Sequence, residues 1–153
     1  MGFVLGVLVA VAGVYLAGLA YLWATQRSHV FHPGPGPLDL TGSSVAPFMR
    51  EITVTSPDGL TLTAWYARAK PGRRTIAYFH GNAGTLADRQ DRVLPYLKRG
   101  FGVLLIGYRG YGGNPGLPTE PGLYDDARAH LDWLARHDVG NDDVALYGES
   151  LGA

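Results

Sequence analysis

Val144-Ala145-Leu146-Tyr147-Gly148-Glu149-Ser150-Leu151-Gly152 is the stretch that decides the fold. Four residues that read as an apolar strand run straight into Gly-x-Ser-x-Gly, the pattern of a serine set on a sharp, strained strand-to-helix turn. The two glycines have a physical reason, because a side chain at either place would strike the neighbouring strand or helix. In a chain with 22 glycines the pattern alone is weak, and its position directly after an apolar strand gives it weight. Ser150 is therefore the candidate nucleophile.

Working outward, residues 75–79 and 103–106 are short β-rich runs. Between them, Leu86, Gln90, Val93, Leu94 and Leu97 keep helical spacing over residues 85–99. Leu123, Ala127, Leu131 and Leu134 predict a second amphipathic helix, closed by Gly140 before the strand at 144–147. Upstream, residues 51–55 and 60–67 alternate on either side of Ser56-Pro57-Asp58-Gly59, the signature of an antiparallel hairpin. The expected fold class is α/β, with an antiparallel hairpin leading into a parallel sheet with flanking helices.

A second turn bears on the chemistry. The strand ending at Phe79 runs into His80-Gly81-Asn82-Ala83-Gly84, a loop able to present backbone N–H groups. In acyl transfer a carbonyl oxygen becomes an anion that two such donors stabilise, one from the residue after the nucleophile and one from an earlier loop. Leu151 and Asn82 are the candidates. His80, 70 positions before the serine, reads as a brace for the loop rather than a base. Gly81, Gly84, Gly148 and Gly152 support the two turns. The glycine-rich loop at 108–116 has neither G-x-G-x-x-G nor a Gly-Lys-Ser/Thr phosphate loop, which disfavours nucleotide binding. Arg109 reads as a structural residue of that loop. His130, His137, Asp125 and Asp126 read as solvated or dipole-complementing positions on the second helix.

Residues 2–24 carry no charge, and 23 helical residues at about 1.5 Å each cross a hydrocarbon core of about 30 Å. Tyr15, Tyr21 and Trp23 crowd the far end, where aromatic rings favour the interface, and Arg27 is the first charge. Two readings stand, a single-pass membrane anchor and a cleaved secretory signal. The length of the run and the lack of a preceding Lys or Arg favour the anchor. One nearby basic residue leaves the side of the membrane open. Residues 32–47, rich in Pro, Gly and Ser, read as a tether without chemistry.

Lys plus Arg and Asp plus Glu number 13 each, so no net field draws the 153-residue chain to nucleic acid. The absence of cysteine excludes a disulfide framework, a thiolate nucleophile and cysteine-ligated zinc. With no His-Glu-x-x-His either, no metal or cofactor is expected. No oligomeric state follows from the sequence.

The hairpin, the loop at 80–84, Tyr108-Arg109-Gly110-Tyr111-Gly112, Pro118-Thr119-Glu120 with Gly122-Leu123-Tyr124 and Asp126-Ala127, and the Ser150 turn together resemble the membrane-anchored abhydrolase-domain branch of the alpha/beta hydrolases. The resemblance covers about residues 50–153, with Asn114 where relatives often have serine. The chain is thus expected to divide into an anchor or uncleaved signal at 1–25 and a Pro/Gly-rich linker at 26–49, both read from the residues themselves, and at 50–153, by the resemblance, the N-terminal part of a hydrolase domain ending after the Ser150 turn. The resemblance also implies hydrolysis of a carboxylic ester, thioester or amide of a small-molecule acyl substrate, with Ser150 as nucleophile and Leu151 and Asn82 as oxyanion-hole donors, and the anchor at residues 2–24 hints at lipid-like acyl groups. In this superfamily the acid and the histidine follow the serine, and three residues follow Ser150. The chain by itself is therefore expected to be an incomplete, essentially inactive sequence. A non-catalytic, membrane-tethered binding module is the alternative.

Overall fold

With no proline before Pro33 and no charge before Arg27, the N-terminal residues form one helix, α1 (Gly2–Val30), in the computed structural model. The structure describes residues 2–36 and 38–153. Met1 and Pro37, in the expected anchor and linker, lie outside the described residues. At 29 residues α1 rises about 43 Å, enough to cross a bilayer core of about 30 Å, and none of its residues is buried. It outruns the expected span of 2–24 because nothing in residues 25–30 breaks it. The hydroxyls of Thr25 and Ser28 fold back onto the carbonyls of Tyr21 and Thr25, at 2.8 and 2.7 Å. The helix stops only where the chain approaches Pro33, whose ring disfavours a helical predecessor.

His32 to Ala153 form a second unit. Its elements are β1 (His32–Pro33), β2 (Arg50–Thr55), β3 (Thr61–Ala67), β4 (Thr75–Phe79), β5 (Ala83–Gly84), α2 (Gln90–Lys98), β6 (Gly102–Ile106), α3 (Glu120–Ala135) and β7 (Val144–Gly148). Five strands make one sheet in the order β2-β3-β6-β4-β7. The hairpin β2–β3 is antiparallel and β3 joins β6 antiparallel, whereas β6, β4 and β7 are mutually parallel.

Period-two alternation along β6 explains the two layers. Val103 and Leu105 pack with Val93 and Leu97 of α2, while Leu104 and Ile106 pack with Ala129, Trp133 and Leu134 of α3. Every residue of β6 is buried, as expected of a strand covered on both faces. Truncating Leu104 or Leu105 to alanine is expected to cost about 2–5 kcal/mol. The β4–β6 and β6–β7 crossovers run to opposite sides of β4, and their helices cover opposite faces, as right-handed connections require. Strand order therefore reverses beside β4, and open α/β sheets bind ligands at the strand ends of such a switch point. Both turns singled out in the sequence leave the sheet there.

The stretch expected to be a tether is packed instead. Residues 26–30 continue α1. β1 pairs in parallel with β5, and Gly34 N–H donates to the Gly84 carbonyl at 3.0 Å. Val45 and Met49 are buried, and Leu38 and Leu40 pack against the same core. The stretch follows no regular period because its apolar anchors sit on turns, such as Ser43 N–H to Leu40 O and Met49 N–H to Val45 O, both 3.0 Å. The first predicted helix also divides, with a turn of 3-10 helix at Leu86–Arg89 before α2.

Candidate active site

The ladder between β4 and β7 ends with Phe79 opposite Gly148, so residues 80–84 and 149–152 leave the sheet side by side. Ser150 then takes φ +53°, the left-handed region that side-chain-bearing residues seldom enter. Such a conformation costs about 1–3 kcal/mol and persists only where the surroundings over-determine it. Here Gly152 N–H returns to Glu149 O and Ala153 N–H to Ser150 O, each at 3.0 Å. The flanking glycines are sterically required. A Cβ on Gly148 would sit 2.5 Å from Gly152 O and 2.6 Å from Ala153 Cα, and one on Gly152 would strike the carbonyl of Phe79. The collisions expected from the sequence thus fall on the following turn in one case and on the neighbouring strand in the other. Ser150 is exposed, while the Leu151 side chain packs partly buried against the α3-side core.

His80 is fully buried, with Nδ1 2.8 Å from Gly81 O, so that nitrogen carries the proton and donates. Its ring lies 4.3 Å from that of Tyr108 and 5.4 Å from that of Tyr111, and the Tyr108 hydroxyl donates to His80 O at 3.1 Å. Burial pushes the imidazole down to about 4. The side chain is a neutral wedge inside the loop. Asn82 Oδ1 accepts from the Tyr111 hydroxyl at 2.8 Å and from His32 N–H at 3.1 Å, which fixes this residue from two directions. Gly84 pairs with Pro33 across the short β1–β5 ladder. Gly81 approaches the turn at residues 149–152 closely, since a Cβ there would lie 3.1 Å from Glu149 Oε1.

Glu149, which precedes the serine, was not singled out in the sequence. Its carboxylate accepts from the Tyr78 hydroxyl at 2.7 Å and from Arg89 Nη2 and Nε at 3.2 and 3.3 Å. Burial alone would raise this carboxyl, but the bonds from Tyr78 and Arg89 outweigh it and hold the group below its ordinary value. Burial and the neighbouring carboxylate push the Tyr78 phenol up to about 12.

Asp126 and His130, expected to be solvated, are both fully buried. Asp126 takes Arg109 Nη2 at 2.7 Å, Nε at 3.0 Å and the Arg109 backbone N–H at 2.9 Å. Arg109 also reaches Asp58 at 2.8 Å and Ser56 at 3.0 Å. It is the structural residue expected, but it ties the 108–116 loop to the hairpin turn and to α3 rather than to itself. Asn114 occupies the departure from the family pattern. Its Oδ1 accepts Thr63 N–H at 2.8 Å and its Nδ2 donates to Tyr108 O at 3.1 Å. Clefts of about 530 and 620 Å³, lined by Arg50, Tyr66, Lys70 and Arg136 among others, include none of the residues of the two turns.

Residues 46–153 match the family described as X-Pro dipeptidyl-peptidase (S15 family). The uncharacterized protein Rv2307c of Mycobacterium tuberculosis is 40% identical over 149 residues, which cover 95% of this chain and 53% of that one. The alpha/beta hydrolase domain-containing protein WAV2 of Arabidopsis thaliana is 35% identical over 148 residues, covering 92% and 48%. Among solved structures, an alpha-beta hydrolase from Vibrio vulnificus superposes with a TM-score of 0.64 at 25% identity, over 74% of this chain and 39% of that one. The Pyrococcus furiosus esterase Pf2001 gives 0.62 at 21% identity over 79% and 48%, a likeness of fold. The chain spans about half the length of these curated relatives. Fold, motif order and matched families agree: the chain belongs to the alpha/beta hydrolase superfamily, on its abhydrolase-domain branch, with residues 46–153 in the S15 family.

Proposed function

We propose that the full-length protein carrying this chain is a serine hydrolase that cleaves a carboxylic ester, thioester or amide by acyl transfer to Ser150. The observation that carries the reading is the left-handed Ser150 on a turn packed against residues 80–84. A serine hydroxyl needs a base to take its proton. In superfamily order the acid and histidine follow the nucleophile, and the chain spans about half the length of its curated relatives. The backbone N–H groups of Leu151 and Asn82 would receive the oxyanion, each such donor being worth about 3–4 kcal/mol in the transition state. His80, Gly81, Gly84, Gly148 and Gly152 shape the two turns.

The X-Pro dipeptidyl-peptidase family matched by residues 46–153 puts an amide beside esters and thioesters among the substrates to test. The helix α1 serves as a single-pass anchor in this reading, so lipid-like acyl groups belong in the test panel. Purified full-length protein would be offered p-nitrophenyl esters, an acyl thioester and an X-Pro amide. The reading expects turnover of at least one, reduced by Ser150→Ala on the order of a thousandfold or more. Ligand binding without turnover would favour the non-catalytic module. Membrane fractions resisting alkaline extraction, and losing the protein on deletion of residues 2–30, would support the anchor. A mature N-terminus beyond residue 20 would show a cleaved signal instead.

A further inference from the structure

We infer that the Arg89–Glu149 ion pair is a strut holding the oxyanion loop in register with the nucleophile elbow, which makes both side chains positioning residues for acyl transfer at Ser150. The inference rests on the serine hydrolase reading above. Arg89 ends the 3-10 turn that follows the loop and is 8% exposed. Its Nη1 donates to Thr85 O at 3.3 Å, just past the loop, while Nε and Nη2 grip the two carboxylate oxygens of Glu149. One planar guanidinium therefore joins the end of the loop to the residue before the nucleophile, across 60 positions of chain. On the elbow side, Glu149 is held by the Tyr78 hydroxyl of β4 and lies 3.7 Å from Arg92 of α2.

This pair differs from an ordinary surface pair in its burial and in what its geometry must hold. Exposed ion pairs contribute about 0–1 kcal/mol, but these side chains are only 10% and 20% exposed and meet in a fork geometry that fixes direction as well as distance. The chemistry also depends on small displacements. Oxyanion donors act only when held within about half an ångström of the developing charge, and a misplacement of about 1 Å can cost a hundredfold in rate. The backbone bond from Glu149 N–H to Phe79 O and the close approaches of Gly81 to Glu149 and of Gly152 to Phe79 also link the two turns. The strut adds a side-chain tie from Thr85, at the end of the loop, to the Glu149 carboxylate.

The test uses the full-length protein with Arg89→Met, Glu149→Gln, the double variant and Arg89→Lys, reading kcat, KM and the unfolding midpoint on an ester the wild type turns over. Each single variant is expected to lower kcat by about tenfold or more with KM within about twofold. The double variant is expected to fall no further than the worse single, because both remove one strut. Arg89→Lys should recover part of the loss. Losses that multiply in the double variant, a rise in KM at unchanged kcat, or wild-type kcat in Glu149→Gln would each overturn the strut. If Arg89→Met does not fold, the near-isosteric Glu149→Gln decides by the same kcat and KM criteria. A wild type without turnover removes the hydrolase reading itself, and the strut with it.

Discussion

The backbone N–H of Glu149 donates to the carbonyl of Phe79 at 3.0 Å, tying the residue before Ser150 to the last residue of β4. That bond closes the β4–β7 ladder at the point where both chains turn away, and it leaves Gly152 pressed against the same Phe79 carbonyl.

The first prediction follows from that approach. Gly152→Val cannot be accommodated unless Phe79 or the turn moves. Overpacking of this kind costs about 1–3 kcal/mol, and here the displaced group is backbone. Urea unfolding of the full-length protein should show the loss, together with a fall in ester turnover larger than stability explains. Wild-type turnover in Gly152→Val would show that the turn is not held by this contact.

The buried Arg109 network makes a second prediction. Arg109→Met leaves the Asp126 carboxylate, fully buried, without its cation. Breaking a buried pair this way costs about 3–5 kcal/mol. Adding Asp126→Asn should restore part of it, because the stranded charge is gone. The pair of unfolding curves checks this, and a double variant less stable than Arg109→Met contradicts it.

Legibility in the sequence followed the range of the interactions. The hairpin, the parallel strands and both turns were readable, because alternation and Gly-x-Ser-x-Gly are local patterns. The burial of Asp126 was not, since its partner Arg109 is 17 positions away and a helical aspartate looks solvated. Glu149 and Arg89, 60 positions apart, carry no local mark of pairing either. The packing of Leu38, Val45 and Met49 leaves no periodic mark in the sequence, because residues on turns show no period. Asn82 was readable as a loop residue, but its hold by Tyr111 and His32 was not.

A third prediction concerns pH. Burial pushes folded His80 down to about 4, whereas its ordinary value is 6.5. Between these values the unfolded chain binds a proton that the folded one refuses. Stability therefore falls as pH drops from about 6.5 toward 4, by about 3 kcal/mol in all, and His80 adds no further loss below that window. Burial lowers His130 as well, so it adds a loss of the same sign. Urea unfolding at pH 7 and pH 4.5 should show a smaller acid loss in His80→Asn than in the wild type. Equal losses would refute the assignment.

A fourth prediction probes the loop itself. Tyr111→Phe removes the hydroxyl that donates to Asn82 Oδ1, at a cost of about 0.5–1.5 kcal/mol in stability. Turnover should fall several-fold through displacement of the loop, with the fold otherwise intact by circular dichroism. An unchanged kcat would mean that Asn82 is positioned without Tyr111.

The most direct measurement is to label the full-length protein with a fluorophosphonate and map the adduct by peptide mass spectrometry. The account predicts a single phosphonylated residue, Ser150, and no labelling of Ser150→Ala. An adduct on any other side chain, or labelling that survives the substitution, would contradict it.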